Sequence, residues 1–349
     1  MPGCVRQGMR VEIKLETLLR KSYIASVYKI KSAGAVTMEN SSKYLPHEGA
    51  KCSRCREKAS ICLPAHRACF CQECFVHYFE NAVERGIKKM KLDRQKPLMV
   101  AVSGGKDSLA TWQALHELGL NTKGLYINLQ IDEFSPKSRE AVQKFAQEQG
   151  LDWSESVLKT ELGYTIPELH QKRQKKFCSL CGRIKRQLIN RVAARENFQT
   201  VATGHNLDDE ASRLLGNLID DRQDFVKKQY PFLPSPHPSI PAKFKPLYRL
   251  EKKEILYYCE LKNIQYLNQK CPFSKGATSK YFNQTLEFLE DKMPGTKRNF
   301  LYSYLKKEKK LVYEEPFNTC RECGEPSYMD ICGICRLKNS LSRDDIKKL

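Results

Sequence analysis

Apolar and polar positions along this chain fall into two kinds of segment from residue 98 onward. Short segments that look like strands cover 98–102, 123–129, 153–157 and 200–203. Stretches that are typical of helices cover 107–118, 137–149, 181–196 and 208–219. Strands that alternate with helices predict an α/β fold built on a doubly wound parallel sheet, with ligands bound at the carboxyl ends of the strands.

The regions on either side of this pattern differ from it, so we divide the chain into five parts. They are an N-terminal extension (1–49), a cysteine-rich module (50–80), a basic helical linker (81–97), the main α/β domain (98–310) and a second cysteine-rich module (315–349). The extension shows no clear period, and we expect it to be disordered in part. Within the main domain, a Pro-rich segment at 231–246 predicts a loop.

The turn after the first strand of the main domain carries the residues that decide the chemistry. Residues 103–108 read Ser-Gly-Gly-Lys-Asp-Ser and lead directly into a helix. Glycines let the backbone approach an oxyanion closely, and the start of the helix offers unpaired N–H groups to phosphate. The Gly-x4-Gly-Lys-Ser/Thr spacing is absent here, which excludes a Walker-type P-loop. The alternative is an ordinary glycine turn between a strand and a helix.

Charge and hydropathy narrow the range of partners. The chain has 349 residues, of which 60 are Lys or Arg and 40 are Asp or Glu, and its formal net charge is +20. This excess favours a polyanionic partner such as tRNA, which would be bound through its phosphates. A basic surface without a specific partner is the alternative. No apolar run in the sequence is long enough to span a bilayer, so we expect no membrane association.

Two sets of cysteines match four-thiolate zinc sites. They are Cys52, Cys55, Cys71 and Cys74 in the first module, and Cys320, Cys323, Cys332 and Cys335 in the second. In each set, two Cys-x2-Cys knuckles can close a tetrahedron around Zn²⁺. Cys62 and Cys69 could compete as ligands in the first set, but Cys71 restores the paired spacing. Paired metal spacing in a large chain indicates a reducing compartment, the cytoplasm.

A third cysteine arrangement lies inside the main domain. Cys178 and Cys181 form a pair with no second Cys-x2-Cys nearby, and Cys271 is the one suitable third ligand. Three thiolates leave one coordination position open, which suits catalysis better than a structural role. A redox disulfide or three unlinked thiols are the alternatives.

These motifs together resemble one known family. The turn at 103–108 resembles the PP-loop of the ATP pyrophosphatase superfamily, in which ATP adenylates a carbonyl oxygen. With the inner cysteines, the run Gly-His-Asn-Leu-Asp-Asp-Glu-Ala at 204–211 and the flanking knuckles, residues 50–340 are similar to the TtuA family of tRNA 2-thiolation enzymes. The sequences at 271–278 and 293–297 resemble the branch that thiolates the ribothymidine of the T-loop. The other branch acts on the wobble uridine.

The resemblance implies cofactors and partners. Cys178, Cys181 and Cys271 would hold a [4Fe–4S] cluster in which one iron lacks a protein ligand. That iron would accept hydrosulfide from the C-terminal thiocarboxylate of a ubiquitin-like sulfur-carrier protein. ATP, with Mg²⁺, would bind at Ala101, Ser103, Gly104, Gly105, Lys106, Asp107, Ser108, Ile127, Lys185 and Gly204. The resemblance also implies a homodimer.

Two further residues are candidate catalytic groups. Lys185 stands one helical turn after Cys181 and would stabilise phosphate charge or an oxyanion. Asp209 would transfer a proton or orient the base. The alternative for Asp208 and Asp209 is to cap the following helix, and we expect that one caps and the other works. We expect His205 to be a packing or positioning residue rather than a base.

Three hypotheses of function compete. The leading one is an enzyme that adenylates the 2-oxygen of a tRNA uridine and exchanges it for sulfur, releasing pyrophosphate and AMP. An amidating enzyme such as a GMP or NAD synthetase would use the same PP-loop, but it needs no inner cysteine trio. A zinc-knuckle RNA-binding protein with a degenerate nucleotide site is the non-enzymatic alternative, and the intact turn at 103–108 argues against it.

Overall fold

The computed structural model describes residues 44–172, 177–274, 279–306 and 317–346, with side chains described as far as residue 341. The predicted N-terminal extension lies outside the described residues as far as residue 43. The same is true of residues 275–278, which belong to the run after Cys271, and of the residues between the main domain and the second cysteine module.

Within the described residues the chain forms ten strands and twelve α-helices. The strands are β1 (Ile61–Leu63), β2 (Ala68–Phe70), β3 (Leu98–Val102), β4 (Thr122–Asn128), β5 (Trp153–Val157), β6 (Thr200–Thr203), β7 (Phe232–Leu233), β8 (Ala242–Phe244), β9 (Asn318–Thr319) and β10 (Pro326–Ser327). The helices are α1 (Gln72–Lys89), α2 (Lys106–Glu117), α3 (Phe134–Gln149), α4 (Leu158–Leu162), α5 (Ile166–Lys172), α6 (Phe177–Arg195), α7 (Leu207–Ile219), α8 (Gln223–Lys227), α9 (Lys252–Leu261), α10 (Ser279–Lys292), α11 (Thr296–Leu305) and α12 (Gly333–Ile346). Short 3₁₀ turns cover Pro64–His66 and Pro272–Ser274.

A six-stranded sheet with the order β5-β4-β3-β6-β8-β7 forms the centre of the fold. Its strands are parallel except for β7, which pairs antiparallel with β8. The predicted doubly wound parallel sheet is therefore confirmed. The prediction of a loop at 231–246 was wrong in part, because this segment contributes β7 and β8. Strands of two and three residues are too short to show an alternating pattern in the sequence.

The order of the strands creates a crevice at the centre of the sheet. The chain enters at β3, adds β4 and β5 on one side, and then places β6 on the other side of β3. Ala101 of β3 pairs with Thr203 of β6, so the carboxyl ends of these strands lie side by side. Open α/β sheets bind ligands at such a switch point. The turn at 103–105 and the run that begins at Gly204 both start there.

Successive residues of β3 pack against opposite faces of the sheet. Leu98, Val100 and Val102 belong to one apolar core, whereas Met99 belongs to another. The first core includes residues of α1, α2 and α9, and the second includes residues of α6 and α12. Cys52 lies in the first core, and three cysteines of the second module lie in the second core. The two cysteine modules thus pack on opposite faces of the sheet.

The helices begin close to the predicted positions. Helices α2, α3, α6 and α7 start between one and four residues before the predicted ranges. Helix α1 runs from Gln72 to Lys89, so the predicted boundary at residue 80 between the first module and the linker falls inside a helix. No helix in the described part of the chain combines the length and the apolar character that crossing a bilayer requires.

Candidate active site

The turn between β3 and α2 is held tightly against α3. Gly104 has a φ of +72°, and a Cβ atom there would lie 2.5 Å from the carbonyl oxygen of Ser138. The Ser138 hydroxyl donates to the carbonyl of Ser103 at 2.7 Å. Glycine is therefore required at residue 104 both by the backbone conformation and by the space available. The sequence offered no sign that Ser138 supports this turn.

The side chains of the turn complete its internal hydrogen bonding and leave the start of α2 open. The backbone N–H of Ser103 donates to the Ser108 hydroxyl at 3.1 Å, and that hydroxyl donates to the carbonyl of Gly105 at 2.9 Å. Gly105 is the N-cap of α2, and no side chain caps the helix. The first N–H groups of α2 are thus available to an anion at the switch point.

The turn after β6 contacts the turn after β3 directly. A Cβ atom on Gly204 would lie 2.8 Å from the backbone of Asp107 and Ser108, so only glycine fits here. Asn206 donates to an Asp107 carboxylate oxygen at 3.0 Å, and Lys106 lies 2.5 Å from the same oxygen. The structure therefore brings together Gly204 and the residues of the turn that the sequence analysis assigned to ATP.

Two other predicted nucleotide contacts lie on the strands next to this turn. Ala101 is partly buried on β3, and Ile127 is buried on the neighbouring strand β4. Their strands are paired in parallel, with Ala101 opposite Leu125. Both residues therefore lie near the carboxyl end of the sheet, and their contacts to a nucleotide remain predictions.

The acidic run at the start of α7 divides into two environments. Asn206 is the N-cap of α7, and it forms a capping box with Asp209, whose backbone N–H donates to the Asn206 side chain at 3.0 Å. The Asp209 carboxylate also lies 3.2 Å from Lys252 and is about one-third exposed, at 35%. Asp209, predicted to act in catalysis, therefore also takes part in capping, and the N-cap itself is Asn206.

Asp208 is buried against two lysines. It lies 2.6 Å from the Lys297 amine, and it accepts a hydrogen bond from the backbone N–H of Lys252 at 2.8 Å. Burial acts to raise the pKa of Asp208, but Lys297 and Lys252 hold it below its usual value. The sequence analysis assigned no role to either lysine, although Lys297 lies in the run 293–297 that marked the family branch.

His205 is neutral in this setting. Thr203 Oγ1 lies 2.9 Å from its Nδ1 atom. Burial, together with the positive charge of Arg213, lowers the pKa of His205 to about 4 against the opposing effect of Glu210. A neutral imidazole with one nitrogen engaged by Thr203 is suited to positioning the turn.

The inner cysteines come from two segments that pack together. Cys178 and Cys181 lie in the first turns of α6, and the thiol of Cys178 donates to the carbonyl of Phe273 at 3.3 Å. Phe273 follows Cys271 closely, and its ring lies 4.7 Å from that of His170. Burial raises the pKa of Cys181, Lys185 lowers it in part, and the other two thiols raise it further. Lys185 therefore lies within electrostatic range of Cys181.

The two terminal sets of cysteines have a more compact geometry than the trio. Among the described residues, the groups whose sulfur atoms all lie within 4.8 Å of one another are the two predicted sets: Cys52, Cys55, Cys71 and Cys74, and Cys320, Cys323, Cys332 and Cys335. The sulfur atoms of Cys178, Cys181 and Cys271 do not meet this condition. The terminal sets fit a single metal ion, whereas the trio would suit a larger group.

In both terminal sets, backbone N–H groups stabilise the thiolate form of one cysteine. Burial acts to raise the pKa of Cys52, but the backbone N–H groups of Cys55 and Cys71 lower it to about 6. The same balance lowers the pKa of Cys320 to about 6. Gln187 of α6 donates to Cys332 at 3.4 Å, which ties the second module to the helix that carries Cys178 and Cys181.

Cys62 and Cys69 form a disulfide that the sequence analysis did not predict. They are directly opposite each other in the β1–β2 hairpin, with Cα atoms 3.9 Å apart. The sequence analysis had considered these two residues only as competing ligands for the first metal site. Their pairing also separates them from the first four-cysteine group, which contains Cys71.

Comparison with known proteins agrees with this site. A family model described as a PP-loop domain matches residues 78–271. The chain is similar to the tRNA-5-methyluridine(54) 2-sulfurtransferase of Thermus thermophilus, with 39% identity over 84% of this chain and 92% of the relative. It is similar to the same enzyme of Pyrococcus horikoshii, with 39% identity over 82% of this chain and 93% of the relative.

Among solved structures the chain resembles the U34-tRNA thiolase NcsA from Methanococcus maripaludis, described with its [4Fe–4S] cluster. The identity is 26%, the TM-score is 0.71, and the match covers 83% of this chain and 96% of NcsA. The fold and the turn at residues 103–108, hereafter the phosphate turn, define a PP-loop protein. Within that class, the chain belongs to the TtuA-type family of tRNA 2-thiolation enzymes.

Proposed function

We propose that this protein replaces the 2-oxygen of a tRNA uridine by sulfur, with the ribothymidine of the T-loop as its substrate. One contact supports the combination of ATP chemistry and thiol chemistry most directly. The backbone N–H of Leu267 donates to the carbonyl of Gly104 at 2.8 Å. This contact lays the segment that leads to Cys271 against the phosphate turn. ATP chemistry and thiol chemistry would then occur at the same end of the sheet.

The first half-reaction would activate the base. The 2-oxygen of the uridine attacks the α-phosphorus of ATP, a P–O bond forms, and pyrophosphate leaves. The open N–H groups at the start of α2 would hold the phosphates, and Lys106 would neutralise their charge. The carboxylate of Asp107 would hold Mg²⁺, which prefers oxygen ligands. In the free protein that carboxylate pairs with Lys106 and Asn206, which keeps it in position.

The second half-reaction would exchange oxygen for sulfur. A hydrosulfide sulfur adds to C2 of the base, and AMP leaves with the former 2-oxygen. Lys185 would stabilise the negative charge that develops on the leaving phosphate. Asp209 would orient the base or accept a proton, and Lys252 keeps its carboxylate in place at 3.2 Å.

The trio fits a [4Fe–4S] cluster by its chemistry and its spacing. Cysteine thiolates are the usual ligands of iron–sulfur clusters. The sulfur atoms of Cys178, Cys181 and Cys271 are not gathered around one point, as those of the terminal groups are. When bound, a cluster with three protein ligands would keep one iron open to hydrosulfide. The cysteines would anchor it, and the positive charge of Lys185 would favour the thiolate form of Cys181.

The positive surface beside the trio suits the tRNA backbone. Arg183 and Arg186 lie on α6 between the trio and the second module, and neither has a carboxylate within 4.0 Å among the described side chains. Burial lowers the pKa of Arg186, and Arg213 and Arg183 lower it further, so these cations lie close together. Bound phosphates would reduce the electrostatic repulsion between these positive charges.

The remaining parts of the proposal rest on the spacing of the cysteines and on family resemblance. We propose Zn²⁺ for the two four-cysteine groups, since four thiolates gathered around one point suit this ion. The sulfur source would be the thiocarboxylate of a ubiquitin-like carrier protein. The enzyme would act in the cytoplasm as a homodimer.

The proposal can be tested by reconstitution. Protein purified without oxygen would be incubated with ATP, sulfide and tRNA that carries unsulfurated ribothymidine, and the tRNA would be fragmented for nucleoside mass spectrometry. We expect sulfur in the T-loop fragment and equal amounts of AMP and sulfurated base. Sulfur in the anticodon fragment would instead assign wobble-uridine thiolation, the activity of the NcsA relative. Tight tRNA binding without AMP formation would instead support the hypothesis of a non-catalytic, zinc-knuckle RNA-binding protein.

A further inference from the structure

A small cavity of about 160 Å³ lies away from the phosphate turn, between the first cysteine module, α1 and α11. Its walls include His66, Tyr78, Arg85, Arg249, Arg298 and Tyr302. Sites for small organic ligands generally have volumes of about 300–1,000 Å³. This cavity is large enough for one tetrahedral anion but too small for a nucleotide.

The three arginines of the cavity lack carboxylate partners. Among the described side chains, no Asp or Glu oxygen lies within 4.0 Å of Arg85, Arg249 or Arg298. Most other buried or half-buried cations of the fold do have such partners, for example Lys245 with Glu210 at 2.6 Å. The cavity therefore brings together three guanidinium groups that have no carboxylate in direct contact in the described structure.

Aromatic and histidine side chains fix the directions of two of these arginines. The Arg249 guanidinium lies over the rings of Tyr248 and Tyr302, at 5.3 Å and 5.0 Å from their centroids. Arg298 Nη1 lies 2.9 Å from His66 Nδ1, while its Nε atom is buried without a hydrogen-bond partner in the described structure. These contacts hold the guanidinium groups in place but leave donors unused.

The carboxylate of Glu254 lies beside the cavity, but within 4.0 Å of none of the three arginines in the described structure. It accepts a hydrogen bond from Tyr78 at 2.7 Å and lies 3.4 Å from His66. Burial raises the pKa of Tyr302 to about 12, so its hydroxyl stays neutral and can donate to an anion. The cavity thus offers guanidinium and phenol donors, a combination that suits phosphate oxygens.

We propose that this cavity binds one backbone phosphate of the tRNA substrate, away from the reacting base. The inference rests on the proposed function, since it takes tRNA as the substrate. A backbone phosphate fits because the cavity admits one anion. Since Arg85 is exposed, the cavity opens to the surface there, and the rest of the polymer would stay outside the protein. Arg298 directly follows Lys297, whose amine pairs with Asp208 beside the candidate catalytic Asp209. A phosphate held here would therefore set the position of the tRNA relative to the active site.

The test measures tRNA affinity at several salt concentrations for three variants, Arg85→Gln, Arg249→Gln and Arg298→Gln. Each should weaken binding of a tRNA transcript about tenfold, because each removes a charge-assisted contact. For the double variant Arg249→Gln/Arg298→Gln, the slope of log affinity against log salt should shrink by about 0.7–0.9, the range given by one phosphate contact on single- and double-stranded nucleic acid. ATP binding should stay unchanged in all of them.

Lys144→Gln is the matched control, because Lys144 lies on α3 in an exposed pair with Glu148. It removes the same charge without touching the cavity and should keep the wild-type slope. Thermal melting checks folding, and Arg85 is exposed, so Arg85→Gln tests the cavity even where the other changes destabilise the protein.

Two results would overturn the inference while the proposed function stands. In one, the arginine variants bind tRNA with the same affinity as the Lys144→Gln control, while the wild-type protein transfers sulfur to tRNA. In the other, inorganic phosphate stabilises the wild-type protein but not the double variant, while both bind tRNA with equal affinity. The cavity would then be a site for free phosphate. Wild-type protein that neither binds nor thiolates tRNA would instead refute the proposed function.

Discussion

The two terminal groups of four cysteines and the inner trio differ in their geometry. In the terminal groups, four sulfur atoms lie within 4.8 Å of one another, and most of these residues are buried or partly buried. In the inner trio the sulfur atoms are spread more widely, Cys178 is exposed, and Lys185 lies within electrostatic range of Cys181. A compact, closed group suits a metal ion that holds the fold together. An open group beside a nucleotide turn suits chemistry on a substrate.

The surroundings of the two kinds of site also indicate a structural role for the terminal groups and a catalytic role for the trio. The terminal modules contribute cysteines to the two apolar cores on opposite faces of the sheet, so their loss would disturb packing throughout the domain. The trio lies at the start of α6 and beside the 3₁₀ turn Pro272–Ser274, at the edge of the second core. Changes to the trio should therefore affect activity, and changes to the modules should affect stability.

The largest effect is expected for the trio. Replacing Cys178, Cys181 or Cys271 with alanine should reduce tRNA thiolation below detection, because two thiolates hold a four-iron cluster poorly. ATP binding and the melting temperature should stay close to those of the wild type. Thiolation is measured by nucleoside mass spectrometry, and ATP affinity by calorimetry.

Ser179→Ala is the control for these variants, because Ser179 lies on the same turn of α6 and is exposed. It should keep full activity. If a trio variant lost as much stability as a module variant, the distinction between the two kinds of site would fail.

The second effect concerns the phosphate turn. Lys106→Ala and Asp107→Ala should slow adenylation about a hundredfold or more, because each removes a charge that acts on the phosphates or their metal. Affinity for tRNA should change little, since many distributed cations hold the polyanion. Pyrophosphate release and tRNA binding are measured on the same preparations.

Lys144→Gln again controls for the loss of one positive charge. Equal loss of tRNA affinity in both turn variants, but not in this control, would contradict the assignment of the turn to ATP.

The third effect is structural. Cys320→Ser or Cys332→Ser should remove one metal ion and lower the free energy of unfolding by several kcal/mol before ATP binding changes, because the binding free energy of a structural metal contributes directly to folding. Cys52→Ser should do the same through the other face of the sheet. Metal analysis and thermal melting report the outcome. A double Cys320/Cys332 variant that kept two zinc ions per chain would refute the zinc assignment.

The smallest effect is the pH dependence of stability at His205. Its pKa in the folded protein is about 4, below the value of about 6.5 for an exposed histidine. The unfolded chain therefore binds more protons between these values, so the stability is fully present above pH 6.5 and is lost as the pH falls toward 4.

We expect this loss to be about 1–2 kcal/mol, with allowance for partial exposure of the ring. His205→Gln should remove it, which comparison of melting temperatures between pH 4 and pH 7 would reveal. An identical pH dependence in the variant and the wild type would show that His205 is not held in its neutral form.

Much of the fold could be predicted because the strands and helices of the main domain have strong local patterns. The apolar run 98–102 and the glycine turn after it placed β3 and α2 within one residue. Strands β7 and β8 escaped prediction because they are too short for a period to show. The disulfide between Cys62 and Cys69 depends on the register of a hairpin, and spacing in the sequence does not reveal that register.

The candidate site could be predicted where its residues are local and not where they are distant in sequence. Cys178 and Cys181 are one turn apart on a helix, whereas Cys271 is distant in sequence and was chosen only as the one suitable remaining cysteine, with its cluster role taken from the family resemblance. Lys297 reaches Asp208 across 89 residues. No local pattern marks such a partner, because its role arises only when α11 packs near α7.

The central claim is that the trio works through iron while the terminal groups serve the fold. The most direct measurement is thiolation of tRNA by protein from which iron has been removed without oxygen while zinc is retained. The account predicts no 2-thiolated nucleoside from this protein and recovery after the cluster is rebuilt. Full thiolation by the iron-free protein would contradict it and would favour a persulfide carried by two of the three cysteines.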